Sequence, residues 1–194
     1  MTKAEERRGA QRERLIDAAE RTVAESGHVA LKARELAAAV GVSLGGVYNL
    51  VGDLDELLLR VSARTLRRLD AALAAEDADD PTERLVAIAL TYCRFARDNL
   101  SLWRALFEHH PAEAPDWHVE IQLGLFRHLA EPLRRIAPDK SEPQRQMLAR
   151  TWFSAVHGVV LLGLAEMLVA VPYDALEAQI AEMVRALCAG ERQA

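Results

Sequence analysis

A chain of 194 residues that is 51% hydrophobic and 27% charged has both the apolar surface and the length to build a real core, which excludes an intrinsically disordered protein. Lys and Arg number 24 against 29 Asp and Glu, a net charge of −5 that excludes a surface coating nucleic acid on all sides and leaves room only for a local basic patch. Ala, Leu, Arg and Glu dominate while aromatics make up 5%, so helices are favoured over strands and an all-α protein is expected.

From Glu5 to Ser26 the apolar positions Leu15, Ile16, Ala19 and Val23 follow helical spacing, and Gly27 sits where a C-cap belongs. Ala33 to Val40 forms a second, short helix that Gly41 breaks, and Ser43 caps a third running to about Leu50. Gly52 ends that one. Asp53, with Glu56 three residues on, caps a long fourth helix reaching about Ala75. After the acidic turn EDADD, Asp80 and Pro81 open a fifth helix over 81–98. A shorter helix runs from Asn99 and Ser101 through Leu106, and HHPAEAPD reads as a loop. Residues 116–137 read as one helix kinked at Pro132, and Ser141 and Pro143 begin a central buried helix that extends to Leu168. Residues 175–189 form the last, which gives about nine helices in all.

Charge is placed unevenly along these elements. Residues 1–34 hold eight Lys or Arg against six Asp or Glu, and no further cation appears before Arg60, so a positive contact surface must lie near the N-terminus. Cys93 and Cys188 are too few for a disulfide framework and too far apart in sequence for a metal knuckle, and they read as buried thiols in a reducing cytoplasm. The N-terminus is charged where a signal peptide is apolar, and the run from Gly158 to Ala165 falls short of a membrane span of about 20 residues, so no membrane partner is expected. Gly-rich phosphate loops and nucleophile elbows are missing, and the histidines have no nucleophile or carboxylate at a fixed spacing, so no enzyme is expected.

Two short helices joined by a tight turn at Gly41, preceded by one helix and followed by a long one, have the spacing of a helix-turn-helix. Ile16 with Ala18 and Ala19, then Gly27, Arg34 with Leu36 and Ala37, Gly41-Val42-Ser43, Gly45, Tyr48, Asp53 and Leu57-Leu58 follow in order. These residues resemble the N-terminal DNA-binding domain of the TetR family of bacterial transcription regulators, with the first step one residue tighter. The resemblance implies a DNA-binding domain over 1–55, a ligand-binding and dimerisation domain over 56–194, and double-stranded DNA, a second copy of the chain and a small effector as partners. The implied activity is that of a dimeric regulator, a repressor released from a palindromic operator by a largely apolar ligand, and no cofactor is expected.

The residues themselves point the same way. Ser43, at the start of the third helix, offers a hydroxyl and free N–H groups to phosphate, and Tyr48 carries a second hydroxyl one turn on. Gly45 and Gly46 each cost the helix roughly 1 kcal/mol relative to alanine, which is explained if the bare backbone must approach DNA closely. Base readout falls to Asn49, Ser43 and Leu44, and electrostatic affinity to Lys32, Arg34 and an N-terminal arm of Lys3, Arg7 and Arg8. The sequence departs from the family pattern at Leu54, Val51 and Leu31-Lys32, where a lysine, an aromatic and a hydroxyl cap are usual. These losses favour the competing reading, a helical interaction protein with a degenerate DNA-binding domain.

Residues 152–158, WFSAVHG, resemble the Trp…His-Gly signature of one TetR subgroup. Trp103, Phe107, Trp117, Phe126, Trp152 and His157 are the expected ligand contacts. Val160, Leu164, Met167, Leu176, Ile180, Met183, Val184 and Leu187 form an apolar stripe expected to pair with a second copy. His109, His110, Glu113 and His118 have a metal-like composition without metal-ligand spacing, so a solvated loop and no metal are expected.

Overall fold

The computed structural model describes residues 2–111 and 113–193. Among them are ten α-helices and two single 3₁₀ turns, with no strand. The helices are α1 (Lys3–Ser26), α2 (Ala33–Val40), α3 (Leu44–Val51), α4 (Leu54–Ala74), α5 (Pro81–Asp98), α6 (Leu100–Glu108), α7 (Asp116–Gly124), α8 (Arg127–Ile136), α9 (Glu142–Leu164) and α10 (Leu176–Glu191).

Most boundaries follow from local chemistry. The Ser43 hydroxyl accepts the Gly46 N–H at 3.0 Å and opens α3, and Asp53 accepts the Glu56 N–H at 2.7 Å and opens α4. Asp80 does the same for α5 through the N–H groups of Thr82 and Glu83. Gly41 takes a left-handed conformation (φ 71°, ψ 40°) that most side chains resist, and so turns α2 into α3 within three residues.

Two expectations are corrected. Residues 116–137 form two helices, and the break lies at Leu125–Phe126 instead of Pro132, which sits inside α8. Across the break the chain uses tighter three-residue bonds, from His128 N–H to the Leu125 carbonyl and from Leu129 N–H to Phe126. Arg127 donates to the Gly124 carbonyl and so closes the end of α7. The central helix ends at Leu164 and not Leu168, because Glu166 turns left-handed (φ 50°) and Met167 N–H reaches back to the Leu162 carbonyl. Ala112, within the expected HHPAEAPD loop, lies outside the described residues.

By packing, the chain divides into one unit of residues 1–67 with 99–122 and another of 68–98 with 123–194. This grouping differs from a simple division at residue 55. In the first unit α1 packs against α2, α3 and α6, around Leu15, Ala19, Val23, Leu36, Val47 and Leu57. Leu102 and Ala105 of α6 belong to that same apolar cluster. The Arg64 guanidinium ties α4 to α1 through Glu13, Asp17 and Glu20, at 2.6, 2.7 and 3.1 Å.

In the second unit α5 packs against α10 and α8, and α9 against α8 and α10. Arg94 and Arg97 pair with Glu177, and Arg185 with Glu83, so α10 is fastened to α5 along its length. By length and composition α9 would suffice to cross a membrane, yet Trp152, Val156, Val160 and Gly163 bury one of its faces in this unit. Gly163 is required there: a Cβ at this position would stand 2.7 Å from the Leu176 side chain. Gly163→Ala is therefore expected to destabilise the protein by about 1–3 kcal/mol, and the double variant with Leu176→Ala to lose less in a thermal melt than the sum of the two single losses.

Candidate nucleic-acid interface

The surface formed by α2 and α3 is built outward from its buried face. Val47, Leu50 and Val51 pack into the core of the first unit, which fixes which residues of α3 must face out. Ser43, Leu44, Gly45, Tyr48 and Asn49 all do, with Leu44 and Tyr48 respectively 40% and 43% exposed, while Gly46 is half-buried. The Ser43 hydroxyl uses an oxygen lone pair to cap the helix and keeps its own hydrogen for an acceptor outside. Of the positions that depart from the family pattern, Val51 is buried and Leu31 and Leu54 pack against the same cluster, whereas Lys32 is exposed.

The two glycines have different reasons to be there. A Cβ on Gly46 would stand 3.3 Å from both the Ser43 hydroxyl and the Val42 Cβ, so the α3 cap already favours glycine. A Cβ on Gly45 would meet nothing within 4 Å. Among the described residues no contact accounts for a glycine at position 45.

The basic residues are less available than expected. Lys3, Arg7 and Arg8 belong to the first turns of α1, whose Thr2 hydroxyl accepts the Glu5 N–H, and they are not a free arm. Arg8 donates to the Asn49 carbonyl at 2.6 Å, and Arg12 to the Leu50 carbonyl at 2.8 Å. Both therefore cap the end of α3. Sequence reasoning missed Arg12, although positions 8, 12, 15, 19 and 23 continue one helical face of α1. Lys32 opens α2 without a side-chain cap and pairs with Glu35 at 3.0 Å. The Arg34 side chain is exposed and, among the described residues, makes no ion pair or hydrogen bond.

The expected ligand contacts fall in both units: Trp103, Phe107 and Trp117 in the first, Phe126, Trp152 and His157 in the second. Trp103 is fully buried edge-on to Phe107, and Trp152 is buried on α9, so both are core. The Arg60 guanidinium lies 5.8 Å above the Trp117 ring. The His157 ring nitrogen Nδ1 and the Tyr92 hydroxyl share a 2.7 Å hydrogen bond, which gives this histidine a structural partner.

Of the expected dimer stripe, Val160, Leu176, Ile180 and Val184 are buried within the second unit and are not free to meet another chain. Leu164, Met183 and Leu187 are half-buried, and Met167 stands exposed beyond the end of α9. The exposed side of α9 instead carries Met147, Thr151, Ser154, Leu161 and Leu162.

The histidine loop is also corrected. His109 contacts Asp55 at 2.9 Å, His110 meets the Glu108 carbonyl at 3.0 Å, and His118 is buried on α7 instead of solvated. No group of three or more metal-ligating side chains is gathered among the described residues. Neither ring nitrogen of His118 has a hydrogen-bond partner there. Burial, and then the nearby His109, push the His118 pKa below its ordinary 6.5, and burial does the same to His157.

Both rings therefore bind protons more readily unfolded than folded, and stability must fall as pH drops below about 6.5. Thermal melts between pH 8 and pH 5 are expected to show that decline, with a shallower slope in His118→Leu. An equal slope in that variant would remove His118 from the account.

Comparison with known proteins adds a second line of observation. Residues 85–187 match the family described as "Tetracyclin repressor-like, C-terminal domain". The chain is 31% identical to the HTH-type transcriptional regulator BetI of Stenotrophomonas maltophilia, over 78% of this chain and 80% of that one. It is 30% identical to BetI of Brucella abortus over 50% of this chain, and spans about half (52%) of that relative's length. The structure is similar to the TetR family transcriptional regulator PfmR from Thermus thermophilus, with a TM-score of 0.61, 20% identity, and 93% and 97% of the two chains covered. At that identity the likeness shows the fold.

Proposed function

The chain belongs to the TetR family of transcription regulators, and from that premise we propose that it is a dimeric, cytoplasmic, one-component repressor that binds a two-fold DNA operator through α3 and releases it on binding a small effector. One observation carries the reading: an exposed α3 whose leading edge is Ser43, Leu44 and Gly45, with a glycine that its own fold does not require. Residues 1–55 serve the DNA and residues 56–194 the effector and the second copy.

Lodged in a major groove, α3 presents N–H groups and the Ser43 hydroxyl to a phosphate, Tyr48 to a neighbouring one, and Asn49 and Leu44 to base edges. With Arg8 bound to α3 and Lys32 to Glu35, Arg34, Lys3 and Arg7 supply the free positive charge. The two-fold operator requires two copies, and the exposed Met147, Thr151, Ser154, Leu161 and Leu162 of α9, with Leu164, Met167, Met183 and Leu187, form the surface proposed to join them. A monomer by light scattering at micromolar concentration would remove this arrangement.

The few free cations give the interaction-protein reading a specific observation in its favour. Selection from random duplexes separates the two. Enrichment of inverted repeats, with a salt slope of at most about eight, is expected for the repressor. No enrichment at low salt would leave the interaction protein.

A further inference from the structure

Within the second unit, a groove runs between α8 and the first half of α9 where the two helices pack. Leu123, Phe126, Ala130, Leu133 and Ala149 line a groove of about 360 Å³, a volume within the range of small-molecule sites. Its width follows from sequence: both helices place alanine, Ala130 and Ala149, along the opening, where larger side chains would fill it. Charge lies along the same groove, from Arg127, Arg145 and Arg150 with Glu142, beside the neutral amide of Gln146.

Two of these guanidiniums are committed. Arg127 pairs with Asp70 and donates to the Gly124 carbonyl. Arg145 pairs with Glu142 and donates to the Ala137 and Lys140 carbonyls. The Arg150 side chain is exposed and, among the described residues, has neither an ion pair nor a hydrogen bond. The groove therefore joins an apolar lining to a positive charge left uncompensated.

We propose that this groove binds a small amphipathic carboxylate, its hydrocarbon against Leu123, Phe126, Leu133 and the two alanines, and its carboxylate on Arg150. A carboxylate matches the planar donor pair of arginine, whereas a neutral head group leaves that charge unpaired and a cationic one is repelled. The ligand narrows the largely apolar effector that the family resemblance implies, in needing this one anionic end. The assignment deepens the proposed function by naming an effector class, and it rests on that reading only for the effect on DNA.

The test is calorimetric titration of the full chain with octanoate, 1-octanol and octyltrimethylammonium. Octanoate is expected to bind at least about tenfold more tightly than the other two. Arg150→Gln, at an exposed position that leaves the fold intact, is expected to abolish that preference. Ala130→Leu is expected to fill the groove and remove binding, with a melting temperature equal to or above that of the natural chain. Equal affinity for the three compounds, or octanoate binding unchanged in either variant, would overturn the proposal. Octanoate that binds in the groove without releasing a selected duplex would uphold the site and overturn its role as an effector site.

Discussion

Replacing Gly45 with leucine is expected to leave the free protein at least as stable as the natural chain and to weaken binding to a selected operator duplex about a hundredfold, roughly 2.7 kcal/mol. The first half follows from the space around the residue. A Cβ at position 45 meets nothing within 4 Å, and any residue other than glycine or proline recovers a few tenths to about 1 kcal/mol of helix propensity. The second half follows from where that Cβ points: it enters the outer face of α3, between Leu44 and Tyr48, the face proposed to meet DNA. Gly46 is the poorer probe, since a side chain there presses on Ser43 and Val42 and confuses binding with folding. Melting curves and fluorescence anisotropy on Gly45→Leu read the two halves separately. Undiminished affinity in a folded variant would mean that α3 does not touch the duplex.

The contrast between these neighbours shows what a sequence carries. Adjacent glycines announce that something is unusual, but only their surroundings in the fold tell the one pressed by its own helix cap from the one with open space around it. Boundaries set by short-range chemistry were legible: α2 was expected over Ala33–Val40 and is found there, because Gly41 and Ser43 act within a few residues of where they stand. The end of α9 and the break before α8 were not, since Glu166 in a left-handed turn and Arg127 on a carbonyl leave no periodic signal.

Burial was legible as a face and illegible as a destination. The spacing of Val160, Leu176, Ile180 and Val184 correctly marks them as facing something apolar. What covers them is their own unit, and their pattern would look the same if it were another chain. Exposure on α3 was likewise legible from helical phase, except at Gly46, which is half-buried against its own cap. Arg8 was misplaced and Arg12 missed because their partners are backbone carbonyls 41 and 38 positions away, which no local spacing reveals.

Those arginines carry the other large expectation. An eight-residue helix with two glycines lies far below the length at which helices hold themselves in water, and α3 has no basic residue in its own last turn to answer its dipole. Arg12, part-buried, and Arg8 supply that charge from α1 and satisfy two of the carbonyls that every helix end leaves open. Arg12→Ala is therefore expected to cost about 1.5–3 kcal/mol of stability, as a lost charged hydrogen bond, and to weaken DNA binding at least about tenfold by letting α3 shift on its bed. The salt dependence separates this positioning role from a phosphate contact. If Arg12 holds α3 and touches no phosphate, the slope of log affinity against log salt stays as it was, whereas Arg34→Ala lowers it by about one. A slope reduced by one in Arg12→Ala would place Arg12 on the DNA instead. Arg12→Lys, able to reach the same carbonyl with one donor, is expected to restore part of both losses, because what α3 needs from α1 is a positive donor at its C-terminal end.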